Sequence, residues 1–297
     1  MPELPDVVVY IESLRERVLS HRLDRIAIRA PFLLRTVDPP LESLYGSTVT
    51  DVRRAGKRIA FGFDNRLWLA IHLMIAGRLH WNGKRQPIAA LHFDHGTLTL
   101  TEAGTQHRAQ LHVLDACPVP AGLEPLDGSP ESFAAALRAE NHTLKRSLTD
   151  PRLFSGIGNA YSDEILHRAR LSPVTLTLKL TDEDIARLHT ATREVLNEWV
   201  DRLRTESSGK FPEKVTAFRD EMAVHGKYGQ PCPRCGTKVQ RIRYAANETN
   251  YCPTCQTGGK LLADRALSRL LREDWPRTLE ELEALKSGAA NPGRSRL

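Results

Sequence analysis

The sequence opens with Met1-Pro2-Glu3-Leu4-Pro5-Asp6, and the rest of the chain is organised around this stretch. If Met1 is removed, the nitrogen of Pro2 becomes a free secondary amine. An α-amino group has a pKa of about 8, against about 10.4 for lysine, so it supplies much more neutral amine at neutral pH. Such an amine can attack a carbonyl carbon to form a Schiff base, and Glu3 could move protons for it. A proline-rich turn that leads into a helix explains the same six residues.

The composition is ordinary for a globular protein and carries an excess of positive charge. The 297 residues are 41% hydrophobic and 26% charged, with a net charge of +6. This charge favours a polyanionic partner such as nucleic acid without requiring one. The sequence has neither an apolar run long enough to span a membrane nor a secretory signal pattern. We therefore expect no membrane partner, and a location in the bacterial cytoplasm, associated with the nucleoid.

Residues 22–115 carry the pattern of an all-β domain. Short segments rich in β-branched and aromatic residues recur and are broken by Gly, Asp and Asn, which is typical of a sandwich or barrel. The predicted strands are Leu23–Ile28, Thr48–Val52, Ile59–Phe63, Leu67–Leu73, Gly77–Trp81, Leu91–Phe93, Thr97–Thr101 and Gln110–Leu114. The apolar spacing predicts a helix over 7–19 before them. A linker rich in proline and glycine, 116–130, follows them.

Two further stretches are candidates for phosphate contact. Residues 53–58 place four cations in six positions on a predicted loop, which suits a phosphate, although a solvated charged turn is the simpler explanation. Gly156-x-Gly158 precedes a predicted helix, Ser162–Arg170, and could expose backbone N–H groups to a phosphate. Close packing between helices also requires small residues and explains the same two glycines. The other predicted helices are Pro130–Glu140, His142–Thr149, 182–204 and Thr278–Leu285.

The cysteine spacing gives the strongest local signal. Cys232 and Cys235 form one Cys-x-x-Cys pair, Cys252 and Cys255 form another, and sixteen residues separate the pairs. This spacing is typical of a four-thiolate zinc site on a β-hairpin. Because four cysteines leave no open coordination position, one structural Zn²⁺ ion is expected. Metal binding should supply much of the folding energy of so short a segment.

Taken together, these motifs resemble the formamidopyrimidine-DNA glycosylase and endonuclease VIII family of base-excision repair enzymes. The resemblance covers roughly residues 2–256. The motifs that carry it are Pro2-Glu3-Leu4-Pro5, Arg53-Arg54-x-Gly56-Lys57, Ile71-His72-Leu73, Gly122-Leu-Glu-Pro-Leu126, Gly156-Ile-Gly-Asn159-Ala-Tyr161-x-Asp163-Glu164-Ile165-Leu166 and the four cysteines.

The resemblance implies an α+β multidomain fold. It implies an N-terminal β-sandwich catalytic domain with a leading helix at 1–118. A helix-two-turn-helix DNA-binding domain would occupy 119–224, and a zinc-finger β-hairpin 225–258. We expect a helical C-terminal extension over 259–297 with a disordered end.

It also implies an activity on damaged DNA by a monomer. The damaged nucleotide would be flipped out of the duplex, the amine of Pro2 would attack C1′ of the sugar, and β- and δ-elimination would nick the strand. Glu3 would transfer protons and Lys57 would hold a phosphate. The expected DNA contacts are Arg54, His72, Arg108, Lys145, Asn159 and Asn247.

The chain departs from the family pattern where the substrate is read. Asp6 replaces the usual Glu, a mild change. Ile75 stands where the family has a Met that fills the gap left by the flipped base, and Ala109 replaces the aromatic partner of Arg108. Asn247 replaces an Arg of the zinc finger, and Glu248 beside it would repel phosphate. We therefore expect an atypical substrate: oxidised or ring-opened bases, or distorted, single-stranded or cross-linked DNA.

Two other functions remain open on the sequence. A non-catalytic protein could use the same scaffold to bind damaged DNA. From composition alone, a zinc-ribbon protein that binds RNA or a protein partner is also consistent. Retention of both Pro2 and Glu3 favours the enzyme.

Overall fold

The structure is a computed structural model that describes residues 1–104, 107–213, 215–216, 218–244, 247–263 and 275–287. The chain forms two compact units. Unit 1 comprises Met1–Gly128, Asp150–Ile157 and Leu196–Ala217, and unit 2 comprises Ser129–Thr149, Gly158–Val195 and Phe218–Leu297. Among the described residues, no helix combines the length and apolar character needed to cross a membrane.

Unit 1 contains two four-stranded antiparallel sheets. The eight strands are β1 (Leu23–Ile28), β2 (Val49–Ala55), β3 (Arg58–Phe63), β4 (Trp68–His72), β5 (Gly77–Trp81), β6 (Ala89–Phe93), β7 (Gly96–Glu102) and β8 (Gln110–Leu114). One sheet has the order β1-β6-β7-β5 and the other the order β2-β3-β4-β8. The predicted strands are confirmed, because alternation of apolar residues with turn residues sets both their number and their approximate ends.

Helix α1 (Leu4–Val18) lies in the same unit and buries its apolar stripe. Val7, Leu14 and Val18 are fully buried in one cluster with residues of both sheets. The helix begins three residues earlier than its predicted start because Pro5 occupies its first turn, where the missing N–H costs nothing. Asp6 is the third helical residue, and its carboxylate accepts the backbone N–H of Glu3 at 2.9 Å. Its shorter side chain thus still caps the helix.

The prediction of a basic loop over 53–58 was wrong. Arg53 and Arg54 lie in β2, Arg58 begins β3, and only Gly56 and Lys57 form the turn between these strands. Gly56 has a φ of +67°, a left-handed conformation that glycine adopts without steric cost. The stretch is therefore a tight hairpin that fixes the position of Lys57.

Before residue 218, the described part of unit 2 contains three short helices and the first part of a long one. These are α2 (Pro130–Arg138), α3 (Leu144–Thr149), α4 (Asn159–Ala169) and α5 (Asp182–Ser207), whose C-terminal residues belong to unit 1. Gly158 caps the start of α4. Trp199, predicted to be a core residue of α5, is 3% exposed.

The C-terminal part of unit 2 contains a hairpin with its metal-site turns. Strands β9 (Gln240–Tyr244) and β10 (Asn247–Tyr251) pair antiparallel and lead into the short helix α6 (Pro253–Thr257). The predicted last helix is present as α7 (Leu279–Ser287). Of the helical extension expected over 259–297, residues 261–263 are described and are not helical, whereas 264–274 and the tail beyond 287 lie outside the described residues.

Candidate active site and metal centre

The N-terminal residues of unit 1 are buried and held in place. Pro2 is buried and Glu3 is 2% exposed. The backbone N–H of Leu4 donates to the carbonyl of Gly156 at 2.9 Å. Together with the bond from the N–H of Glu3 to Asp6, this contact fixes the backbone on both sides of Glu3. The terminus therefore has a defined direction, unlike most chain ends.

The surroundings of the terminus favour a neutral amine. Burial lowers the pKa of the Met1 α-amino group, and the positive charges of Arg78 and Lys57 act in the same direction, whereas Glu3 and Asp6 raise it. After removal of Met1, the amine of Pro2 would lie one residue further along the same buried segment. Arg78 is a component of this site that the sequence did not indicate, because nothing in the pattern of β5 distinguishes it from a solvated cation.

His72 is uncharged at neutral pH and has a defined tautomer. Burial lowers its pKa to about 4, and the nearby charges of Arg58 and Lys57 add to the effect. The backbone N–H of Met74 donates to Nδ1 of His72 at 3.2 Å, so the proton of the neutral ring lies on Nε2. His72 thus offers one neutral N–H donor close to the charge of Lys57.

Arg54, which the resemblance predicts to bind DNA, is used within unit 1. Its guanidinium donates to the carbonyl of Gly56 at 2.9 Å and forms an ion pair with Glu124. Only 13% of the side chain is exposed. A Cβ atom on Gly156 would lie 2.9 Å from Nη1 of Arg54 and from Cβ of Leu4. Gly156 therefore lets the arginine and the start of α1 pack together, and Arg54 supports the turn that carries Lys57.

The two positions predicted to fill the DNA gap have opposite environments. Ile75 is 59% exposed and follows Met74, which has a φ of +52°. Ala109 is fully buried in the hydrophobic core, and Glu102 accepts hydrogen bonds from the backbone N–H groups of Arg108 and Ala109. The missing aromatic side chain at 109 is thus a change in how the segment packs, and only Ile75 of the pair presents an apolar side chain to solvent.

An open cavity of about 570 Å³ lies in unit 1 beside Arg78. Its polar lining includes Arg85, Gln86, Glu102 and Glu213. The volume is within the range of small-molecule sites, and the lining offers both donors and acceptors to a nucleobase edge. No sequence pattern indicates this cavity, because its lining comes from segments far apart in the chain.

In unit 2, the predicted DNA contact Lys145 forms a buried ion pair. Its ammonium lies 2.6 Å from Oδ1 of Asp163 and 2.6 Å from the carbonyl of Asn159. Asp163 is fully buried, and its Oδ2 accepts from Nδ1 of His225 at 2.8 Å and from the backbone N–H of Asn250 at 3.1 Å. The carboxylate therefore connects α3 and α4 to β10. Asp163 belongs to the quoted motif, but its role is visible only in the folded chain.

Asn159 and the hairpin are joined by a second contact. The side-chain amide of Asn159, the first residue of α4, donates to the carbonyl of Glu248 at 2.9 Å. Glu164, the residue after Asp163, accepts hydrogen bonds from the backbone N–H groups of residues 223, 224 and 225. These contacts fix the hairpin relative to the first turn of α4, where backbone N–H groups can face a phosphate.

Glu248, which we expected to repel phosphate, is paired with two arginines. Its carboxylate accepts from Arg241 at 3.1 Å and from Arg243 at 3.2 Å, so its charge is offset by two cations on the paired strand. The backbone of Asn247 pairs with Tyr244 at the open end of this strand pair. The proposed DNA contact of the Asn247 side chain lies outside what the structure describes.

The four cysteines converge as a zinc site requires. Their sulfur atoms all lie within 4.8 Å of one another. The separations are 4.0 Å between Cys232 and Cys255 and 3.4 Å between Cys235 and Cys252. A tetrahedron with Zn–S bonds of about 2.3 Å has sulfur–sulfur edges of about 3.8 Å, so the set fits this ion. Nε2 of the buried His167 lies 3.2 Å from Sγ of Cys232, as expected of a group that orients a ligand.

Comparison with known proteins agrees with this geometry. The Formamidopyrimidine-DNA glycosylase N-terminal domain matches residues 1–116, the H2TH domain of the same protein matches 121–209, and the zinc finger found in FPG and IleRS matches 229–258. A formamidopyrimidine-DNA glycosylase from an Exiguobacterium species is 32% identical over 275 residues, which are 86% of this chain and 99% of that protein. The chain belongs to the formamidopyrimidine-DNA glycosylase family.

Solved structures of the family superpose on the chain. The MutM (Fpg) protein of Thermus thermophilus is 33% identical, with a TM-score of 0.75, and covers 86% of this chain and 98% of its own. The Lactococcus lactis enzyme bound to DNA that contains an abasic site is 25% identical, with a TM-score of 0.74, over 86% and 99%. The predicted family, fold class and structural zinc ion are confirmed, and family membership makes the chain a DNA glycosylase of base-excision repair.

Proposed function

We propose that this protein is a bifunctional DNA glycosylase and abasic-site lyase that acts through the amine of Pro2 after removal of Met1. The observation that carries the proposal is the buried, hydrogen-bonded terminus, where the pKa of the terminal amine is lowered. The neutral amine attacks C1′ of the damaged nucleotide and the base leaves. The C1′–O4′ bond then breaks, with a proton delivered to O4′, and the sugar ring opens to a protonated Schiff base on Pro2. This Schiff base permits β-elimination and δ-elimination, which cut the strand.

The residues around the terminus have distinct proposed roles. Glu3 transfers protons at the sugar, because its carboxylate is within one residue of the amine. Lys57 binds a phosphate beside the lesion as a point charge. His72 donates its Nε2–H to a second phosphate oxygen, a role that its neutral state and tautomer support. Asn159 and the first turn of α4 bind phosphate from unit 2.

The substrate class follows from the departures described above. Ile75 is an exposed apolar side chain suited to enter the gap left by the flipped nucleotide. Because Ala109 is buried, it adds no aromatic surface to that gap. We propose that the enzyme prefers oxidised or ring-opened bases, or lesions in distorted, cross-linked or single-stranded DNA, over 8-oxoguanine opposite cytosine in an ordinary duplex.

Reductive trapping tests the reaction. The purified chain without Met1, incubated with abasic-site DNA and borohydride, should form a covalent adduct that peptide mass spectrometry places on Pro2. A chain extended by one residue at the N-terminus should form none at that position, and Pro2→Gly should form less. Exposed Lys84, changed to Met, is the control and should leave the yield unchanged.

The alternative outcome is equally clear. If the chain without Met1 and without substitutions binds abasic-site DNA and yields no adduct, the protein is a non-catalytic damage-binding protein on the same scaffold. An adduct that forms on a lysine, and survives the N-terminal extension, would also exclude Pro2 as the nucleophile. A lesion panel in single-stranded and double-stranded DNA tests the substrate separately, and a large preference for 8-oxoguanine in duplex DNA would contradict the proposed specificity.

A further inference from the structure

A second cluster of metal-ligating side chains lies in unit 1. Nδ1 of His21 and Nδ1 of His95 each lie 2.9 Å from the same oxygen, Oδ1 of Asp94. The two imidazole rings are stacked, with centroids 3.5 Å apart and planes 25° apart. Stacked rings that direct both Nδ1 atoms at one point form a convergent donor set, which isolated surface histidines do not.

We propose that His21, Asp94 and His95 form a binding site for a divalent transition-metal ion of the zinc, nickel or copper class. Two imidazole nitrogens and one carboxylate oxygen are the donors that these ions prefer, whereas magnesium and calcium prefer oxygen alone. With metal–ligand bonds of about 2.0–2.2 Å, neighbouring donor atoms lie about 3.0–3.4 Å apart. The observed nitrogen–oxygen distances of 2.9 Å therefore need only small side-chain adjustments.

The backbone already holds the three ligands in place. His21 lies two residues before β1, and Asp94 and His95 form the turn between β6 and β7. The backbone N–H of Asp94 donates to the carbonyl of Arg22 at 3.1 Å, and the N–H of Arg22 lies 3.3 Å from Oδ2 of Asp94. The second carboxylate oxygen is thus oriented by the chain, and Oδ1 faces the two histidines. This is the support that a ligand carboxylate needs.

The charges and the access around the cluster suit a cation from solution. The guanidinium of Arg22, the residue after His21, pairs with Asp24 at 2.9 Å, which offsets its repulsion. The side chains of the three ligands are 36–37% exposed, so an ion can enter and can keep water in its other positions. The ring of His95 also packs against Trp81, with centroids 5.3 Å apart, which restricts its rotation.

Binding would join the start of β1 to the β6–β7 turn, a role distinct from that of the cysteine site in unit 2. The test uses the full chain with its zinc finger loaded, in metal-free buffer near neutral pH. Isothermal titration with ZnCl₂ should show one further equivalent beyond the finger. His21→Gln and His95→Gln should each weaken that equivalent by at least about tenfold, since each removes a ligand.

His142→Gln is the matched control. His142 lies in unit 2 and forms a single histidine–carboxylate contact, with Nε2 2.5 Å from Glu140. It should leave the extra equivalent unchanged. Zinc content after purification and circular dichroism verify that each variant keeps the finger and the fold. The proposal is overturned if the unmodified chain takes up no zinc beyond the finger, or if the extra equivalent survives in the His21→Gln, His95→Gln double variant.

Discussion

The buried carboxylate of Asp163 gives the sharpest test of how unit 2 is held together. Asp163→Asn keeps the shape but removes the charge. The amide oxygen can still accept from His225 and Asn250, but the NH₂ group then faces the ammonium of Lys145, whose side chain is only 13% exposed. Removal of one member of a buried ion pair costs about 3–5 kcal/mol, because the other charge is left uncompensated. We expect a loss of that size in the free energy of unfolding.

Urea unfolding of the zinc-loaded chain measures this loss, and hydrogen exchange at the β10 amides shows where it acts. Asp182→Asn is the matched control, because Asp182 pairs with Arg138 at 2.5 Å but is 92% exposed. It should cost at most about 1 kcal/mol. In the double variant with Lys145→Met, part of the stability should return, since neither buried charge remains. Equal effects of the Asp163 and Asp182 variants would refute the argument that the buried pair fixes β10.

Four further outcomes are expected. Gly156→Ala should destabilise unit 1 by at least about 1–2 kcal/mol in thermal unfolding, since its φ is +84° and the new Cβ would meet Leu4; an unchanged melting temperature would contradict this. Ile75→Ala should weaken binding to abasic-site duplex without changing stability; equal affinity would exclude Ile75 as the gap-filling residue. Chelation of zinc should unfold β9 and β10 and abolish DNA binding, and a folded, active apo-protein would exclude a structural ion. The pKa of His72 is about 4 in the folded chain, against an ordinary histidine value of 6.5. Its contribution to the free energy of unfolding is therefore complete above pH 6.5 and is lost as the pH falls towards 4, by up to about 3 kcal/mol. In His72→Gln this dependence of stability on pH should flatten.

Much of the fold could be predicted because its determinants are local. The eight strands follow from alternating apolar residues and turn residues, and the zinc site follows from four cysteines in two fixed pairs. The predicted start of α1 was three residues too late, because the prediction treats Pro5 and Asp6 as signals before the helix, whereas they lie in its first turn. Residues 53–58 were predicted as a loop because a run of charged residues is typical of loops, although only Gly56 and Lys57 form the turn.

The site could be predicted only in part, because pairing between distant residues cannot be read from one sequence. Arg54 and Lys145 both look like free cations available to phosphate. Arg54 instead pairs with Glu124 and Lys145 with Asp163, 70 and 18 residues away. Arg78 was missed for the converse reason, since its effect on the terminal amine exists only once β5 lies beside α1. A family resemblance indicates which residues correspond, but the ion-pair partner of each charged residue is determined only by the folded chain.

These pairings also change how the net charge of +6 should be interpreted. Arg54 and Lys145 are neutralised inside their units, so they add little to long-range attraction for DNA, whereas the charge of Lys57 acts on the terminal amine. On the hairpin, Glu248 pairs with Arg241 and Arg243 and so removes part of the positive charge that β9 would otherwise offer. If the hairpin attracts DNA phosphates less strongly, the affinity for an intact duplex is lower. Pro2 and Glu3, the groups proposed to act at the sugar, are not members of these pairs, which is why we expect the chemistry of the family to persist while its preference for ordinary duplex DNA declines.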